Sequence, residues 1–163
     1  MPLVTAVDID LNRFTTANNN GETLAHSTPW AEVRNAFPRV APDGLVLIEV
    51  AGPVMHHNES HSHRRWMIFN VAAAVELAHI VGLDRARFST STVWTKGYSE
   101  EQRHALAGIF PRNRKTVKRK TGVITVPVYA DPHDVRECQC MLYMFSVNPK
   151  AWVTLPDLLA SMV

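Results

Sequence analysis

The first segment, LVTAVDID, is apolar and β-branched until it turns acidic, a pattern that predicts a strand over residues 4–8. RFTTA and ETLAHS follow as two short strands around NNNG, where Asn-Gly predicts a type I′ hairpin turn because both central positions accept positive φ. Residues 3–27 therefore read as a three-stranded antiparallel meander. In TPWAEVRNAF, Thr28 is placed as N-cap and Pro29 at the first helical position of a short helix. DGLVLIEVAG is almost wholly apolar over 45–51, as expected of a strand covered on both faces. RRWMIFNVAAAVELAHIVG predicts a helix over 64–81, apolar nearly all round and ended by Gly82. Such a helix needs two covers, the sheet and a second subunit.

ARFSTSTVW, residues 86–94, reads as the next strand. In YSEEQRHALAGIF, Ser99 and Gln102 form an S-x-x-Q capping box for a helix reaching about Phe110. GVITVPVYA alternates like an exposed strand, and Pro127 restricts it to an edge strand or an extended loop. DPHDVRECQCMLYMF opens a last long helix with Asp131 as N-cap and Pro132 at N1, and LPDLLASM is a short tail helix. Three antiparallel strands followed by alternating helices and strands imply an α/β fold, a mixed sheet with helices on its faces and right-handed crossovers.

Composition adds limits. A chain of 163 residues, 46% hydrophobic, suits a single domain over 1–163 with a core that needs no disulfides. Its two cysteines, Cys138 and Cys140, are two apart in a helix and point to different faces, so they read as free thiols in a reducing compartment. No leader-like segment and no apolar run of about 18 residues is visible, so a soluble, cytoplasmic protein is expected, without a membrane role. The net charge of +2 is unevenly spread: RNRKTVKRK packs six cations into nine residues.

The informative residues are acids in apolar strands, which are costly to bury unless paired or bound to a cation. Asp8 stands in AVDID and Glu49 in LIEVAG, while Asp134 and Glu137, spaced i,i+3, share one face of the last helix's first turn. Each has a plain alternative: Asp8 as a strand end, Asp134 as an N-terminal acid favoured by the helix dipole, Glu137 as a surface residue. Glu49 is hardest to explain so, because Leu47, Ile48, Val50 and Ala51 around it are all apolar. If the strands of Asp8 and Glu49 are neighbours, the four carboxylates converge. A set of hard oxygen donors without sulfur suits Mg²⁺ or Mn²⁺. Two such ions about 3.5–4 Å apart would make a phosphodiester-cleaving centre.

This order of acids, from VTAVDID through LIEVAG to HDVRE, resembles the ribonuclease H-like nuclease superfamily, and within it the RuvC group of Holliday-junction resolvases, particularly the small virus- and phage-encoded kind. The resemblance spans nearly the whole chain. It implies a five-stranded mixed sheet and four metal ligands, Asp8, Glu49, Asp134 and Glu137. It further implies two Mg²⁺ ions, cleavage of opposed strands of a four-way junction, and a homodimer whose interface includes helix 64–81. A phage-encoded enzyme would work in the bacterial host's cytoplasm. The chain departs from the family's pattern in three places: DIDL stands where Pro-Gly usually follows the first aspartate, Glu137 replaces a second aspartate, and the segment around RNRKTVKRK is longer.

Binding four DNA arms requires cations on phosphates. Arg112, Arg114, Lys115, Lys118, Arg119 and Lys120 are the candidates, with the alternative that this run is a solvated surface loop. Lys96 could grip the scissile-strand phosphate; Trp94 or Tyr98 could stack on an unpaired base, although core packing is the commoner fate of a tryptophan. His133 either positions a water or is an ordinary first-turn residue, and Asp10 and Asp131 stay open as further ligands. Four of the eight histidines, His56, His57, His61 and His63, fall in HHNESHSH. His57 and His61 have zinc-like spacing, but no thiolate accompanies them, and the preferred reading is a polar loop facing DNA that ends in Arg64 and Arg65. Three other functions compete with junction cleavage: a broader nuclease for flaps, forks or RNA-containing duplexes, a non-catalytic junction-binding module, and a histidine-rich zinc protein.

Overall fold

The computed structural model describes residues 2–51 and 60–161. The first three strands, β1 (Val4–Asp10), β2 (Arg13–Asn18) and β3 (Thr23–Pro29), form the expected antiparallel meander. The turn between β2 and β3 differs from a type I′ turn. Gly21 N–H bonds Asn18 O at 3.1 Å, and only Gly21 takes positive φ, +82°, while Asn20 does not. β3 runs on through Thr28 to Pro29, so Thr28 is a strand residue and not a helix cap. A single 3₁₀ turn (Trp30–Glu32) then leads into α1 (Val33–Val40).

β4 (Leu45–Val50) pairs parallel with β1, and β5 (Ala86–Thr90) pairs parallel with β4, giving one five-stranded sheet in the order β3-β2-β1-β4-β5. Gly44 permits the central pairing: a Cβ there would sit 1.9 Å from Leu3 O, next to the Leu45 N–H to Leu3 O bond of 3.0 Å. α2 (His61–Val81) begins one turn earlier than its apolar pattern implies, because the Ser60 hydroxyl caps it by accepting from His63 N–H at 3.1 Å.

Three expectations change at the other end of the sheet. The strand expected over 86–94 stops at Thr90, and Ser91–Trp94 coils into the short helix α3, which turns Trp94 inward. α4 (Glu100–Leu106) has the expected Ser99–Gln102 capping box but ends before Gly108, which takes φ +79°. The basic run is not a loop: β6 (Asn113–Arg119) pairs antiparallel with β7 (Gly122–Val128) in a separate two-stranded sheet, with Pro127 opposite Arg114. α5 (His133–Val147) is preceded by Pro132 at the cap position without a side-chain cap bond, so Asp131 is not the N-cap. α6 (Leu155–Ser161) closes the described chain.

Helices cover both sheet faces. Val7, Ile9, Val46, Ile48 and Phe88 pack against α1, α2 and α6. Val4, Ala6, Ala17 and Leu47 pack against α5, Trp94 and Trp152. Cys138 and Cys140 are both free and buried in this second layer. α2 is apolar all round, as its sequence predicts: Leu77 and Ala78 are fully buried, while Ile68 is 68% exposed and Val71 and Val75 are also exposed. Among the described residues, no helix is long and apolar enough to cross a membrane.

Candidate active site

Strand alternation decides which way the acids point. Val4 and Ala6 of β1 and Leu47 of β4 face α5, so Asp8 and Glu49, each two residues further on, face α5 as well. The parallel register runs Ala6 to Leu47 and Val7 to Ile48, which sets Asp8 and Glu49 side by side at the carboxyl ends of neighbouring strands. In open parallel sheets that end is where ligands bind. Glu49's backbone is locked from the opposite face. The buried Asn70 of α2 donates to Glu49 O at 3.0 Å and accepts from Ala51 N–H at 2.7 Å.

α5 brings the remaining acids. The Cys138 thiol donates to Thr15 O at 3.4 Å and anchors the helix on β2. One turn earlier, Asp134 reaches hydrogen-bonding range of Asp8. His133 joins them: the donor atoms of Asp8, His133 and Asp134 lie within 4.8 Å of one another, as do those of Glu100, His133 and Glu137. His133 Nδ1 is 3.3 Å from Asp134 Oδ1, and its Nε2 is 3.3 Å from Glu100 Oε1.

The electrostatics are strained toward neutrality. Burial, then the adjacent Asp134 carboxyl, raises the Asp8 pKa well above the carboxylate range. Burial also lifts Glu49 to about 7, against the stabilising hydrogen bond from Trp94, with Glu137 adding repulsion. That bond is short: Trp94 Nε1–H donates to Glu49 Oε2 at 2.6 Å. Trp94 is 1% exposed, so it packs in the core and orients a carboxylate rather than stacking on a base. Burial and the Arg136 charge lower the pKa of His104. Arg136 donates to His104 Nδ1 at 3.2 Å, which leaves the neutral ring's proton on Nε2, 3.4 Å from Glu137 Oε1. Arg103 donates to both oxygens of Glu137, at 3.1 and 3.3 Å.

The structure thus brings together all four acids read from the strands and the last helix, with His133 beside them. Sequence reasoning missed Arg103, His104 and Glu100 on α4 and Asn70 on α2. The capping box located α4, but not the face it turns to α5. Asp10 is exposed and bonds the Leu11 N–H at 2.7 Å, and Asp131 supplies only a backbone oxygen to Arg136. His56 and His57 lie outside the described residues. His61 and His63 are exposed at the start of α2 and belong to no metal-like cluster among the described residues.

Some of the candidate phosphate contacts are linked to this centre through named bonds. Trp66 Nε1–H donates to Ile9 O at 3.1 Å, which ties the N-terminal part of α2, with exposed Arg64 and Arg65, to the residue after Asp8. Lys96 is exposed in the turn after Trp94, with φ +52°. Arg112, Arg114, Lys115, Lys118, Arg119 and Lys120 are exposed along the β6–β7 ribbon. Its base meets the site's rim where Arg114 pairs with Glu101 and where Tyr129 lies beneath the Arg136 guanidinium at 4.0 Å.

No family model matches this sequence, and no curated protein sequence does. Among solved structures, T. thermophilus RuvC in complex with a Holliday junction substrate superposes with a TM-score of 0.55, covering 95% of this chain and 100% of that chain at 10% identity. The strand order, the two helical layers and this superposition together give the chain an α/β, RuvC-like fold of the ribonuclease H type.

Proposed function

We propose that the chain is a divalent-metal-dependent DNA endonuclease selective for four-way junctions. The observation that carries the reading is the convergence of Asp8, Glu49 and Asp134, half-buried carboxylates on three elements, with two pKa values driven upward. Acids so placed fit a hard cation: oxygen donors from three elements suit a divalent ion, whose charge would favour their ionised forms against the burial that raises their pKa values. When bound, Mg²⁺ or Mn²⁺ would activate a water and stabilise the leaving oxygen. The chain's own residues do the rest. Asn70 and Trp94 hold Glu49 in place, and Asp134 is held by α5 against Asp8. His133, exposed beside Asp134, is placed to hold a proton or orient a water.

The likeness to a RuvC bound to a Holliday junction supports the substrate class. So do the exposed cations, Arg64 and Arg65, Lys96, and the ribbon from Arg112 to Lys120. A homodimer through the exposed apolar stripe of α2 would set two centres against opposed strands. On motif order, the reading extends to the virus- and phage-encoded enzymes and so to a host cytoplasm.

The test is to incubate the protein with a labelled four-way junction, a flap and a linear duplex, in Mg²⁺ or in EDTA. Paired nicks in the junction alone, dependent on Mg²⁺, are expected. Cleavage of every branched substrate would replace the reading with a broader nuclease. Binding without cleavage, in Mn²⁺ as well as Mg²⁺, would leave a junction-binding module.

A further inference from the structure

The β6–β7 ribbon is more than a run of charge. Its register is unbroken from the Asn113–Val128 pair to the Arg119–Gly122 pair, so successive cross-strand pairs project to alternate faces. Lys115, Val117, Arg119, Ile124 and Val126 share one face; Arg114, Thr116, Lys118, Val123 and Thr125 share the other. The second face is tied to the body of the protein at its base, where Arg114 pairs with Glu101. On the first face, Val117 stands opposite Ile124, an apolar pair set between Lys115 and Arg119. Ile124 is 43% exposed, and neither buried layer takes a side chain from this face.

A partner for this face must offer negative charge and apolar surface together. The ribbon's six cations lie on β6, just before it or in the turn, β7 carries none, and no acid occurs from Pro111 to Ala130. Like charge opposes packing of this arm against that of a second copy. A DNA duplex matches, with phosphates along the rims of its grooves and thymine methyls among the base edges. Size selects the groove. Two strands about 4.8 Å apart fit a major groove about 12 Å wide, which admits a two-stranded ribbon, and not a minor groove about 6 Å wide. Seven residues per strand make an arm about 20 Å long, more than half of a duplex turn.

We infer that the ribbon is a groove-reading arm: its first face lies in the major groove of one duplex arm, with Val117 and Ile124 on the base edges and Lys115 and Arg119 on the flanking phosphates. Val123, although 62% exposed, projects from the other face and makes no such contact. The inference rests on the nucleic-acid partner of the proposed function and extends it from phosphate contact to contact with the bases.

The experiment is dimethyl sulfate footprinting, with gel shifts, of the full chain on a four-way junction and a linear duplex in EDTA. The reagent methylates guanine N7 in the major groove and adenine N3 in the minor groove, so one experiment reads both. Wild type should protect guanine N7 over more than half a turn of an arm. Ile124→Thr keeps a β-branched side chain suited to a strand but loses its apolar tip. It should lose that protection and weaken binding about fourfold, the effect of one methylene kept from water. Val123→Thr, a like change on the other face, should bind as wild type does. Replacing thymine by uracil in the protected arm should weaken wild type and leave Ile124→Thr unchanged. Circular dichroism melts establish that each variant is folded. Equal losses in the two variants, or protection at adenine N3 alone, would overturn the inference. Wild-type binding by Ile124→Thr would also overturn it, and would assign the apolar pair to an acidic protein instead. Groove protection without cleavage in Mg²⁺ would refute the nuclease reading and leave this inference standing. Junction cleavage with guanine N7 unprotected would do the reverse.

Discussion

Replacing Glu49 with Gln should stabilise the metal-free protein at alkaline pH while abolishing cleavage. The side chain keeps its shape, and its oxygen still accepts from Trp94 Nε1–H. The magnitude follows from the pKa. Burial raises Glu49 from 4.5 to about 7, so the folded state binds that proton more tightly than the unfolded chain does. Stability from this group is complete below the unfolded value and falls as pH rises through the folded one. Two and a half pH units at about 1.4 kcal/mol each put the loss at about 3 kcal/mol by pH 8. At pH 5 it is below about 1 kcal/mol by the same linkage. For a chain of this size, about 3 kcal/mol corresponds to roughly 6–12 °C in Tm. Melts followed by circular dichroism in EDTA, from pH 5 to pH 8.5, should show the variant's advantage opening with pH. Mg²⁺ at a hundred times its Kd should return about 2.7 kcal/mol to wild type and little to the variant. A difference that is absent at pH 8, or the same at all pH values, would refute the account of Glu49 as an acid whose ionised form the fold disfavours.

Trp94→Phe keeps the ring in the core but removes the donor to Glu49; cleavage should fall about 10- to 100-fold with junction affinity unchanged, measured by single-turnover kinetics beside gel shifts in EDTA. Replacing Lys118, Arg119 and Lys120 together by Ala should weaken junction binding, and the slope of log K against log salt should shrink by about 2–3 if each meets a phosphate. Ile68→Glu on the exposed stripe of α2 should give a folded monomer by light scattering, because that side chain is 68% exposed and carries little of the core.

Asp8 and Glu49 could be read from the sequence because each interrupts an apolar strand, and strand alternation then settles the face they share. The last helix was legible from its proline and acidic first turn. Trp94 was not: STVW is β-branched and continues the strand pattern of ARFST, and only the structure's helical turn brings the indole onto Glu49. The β6 strand was hidden because charge occupies both of its faces, leaving no apolar period to read. Arg103 and His104 follow an evident capping box, yet their role depends on how α4 meets α5, and tertiary packing is not written in a helix's own periodicity. Thr28 failed as a cap because its segment stays paired to Phe14 in the sheet.

The β6–β7 ribbon carries no acid from Pro111 to Ala130 and forms its own two-stranded sheet apart from the central one. Its strands contribute no residue to either buried layer. Its length and sequence are therefore free to drift without disturbing Asp8, Glu49 or α5. If the ribbon grips nucleic acid as proposed, that grip could diversify quickly in a lineage of such proteins while the acidic centre stayed the same. For the same reason, an engineer could exchange the arm for another basic hairpin and redirect the protein while leaving its core sequence untouched.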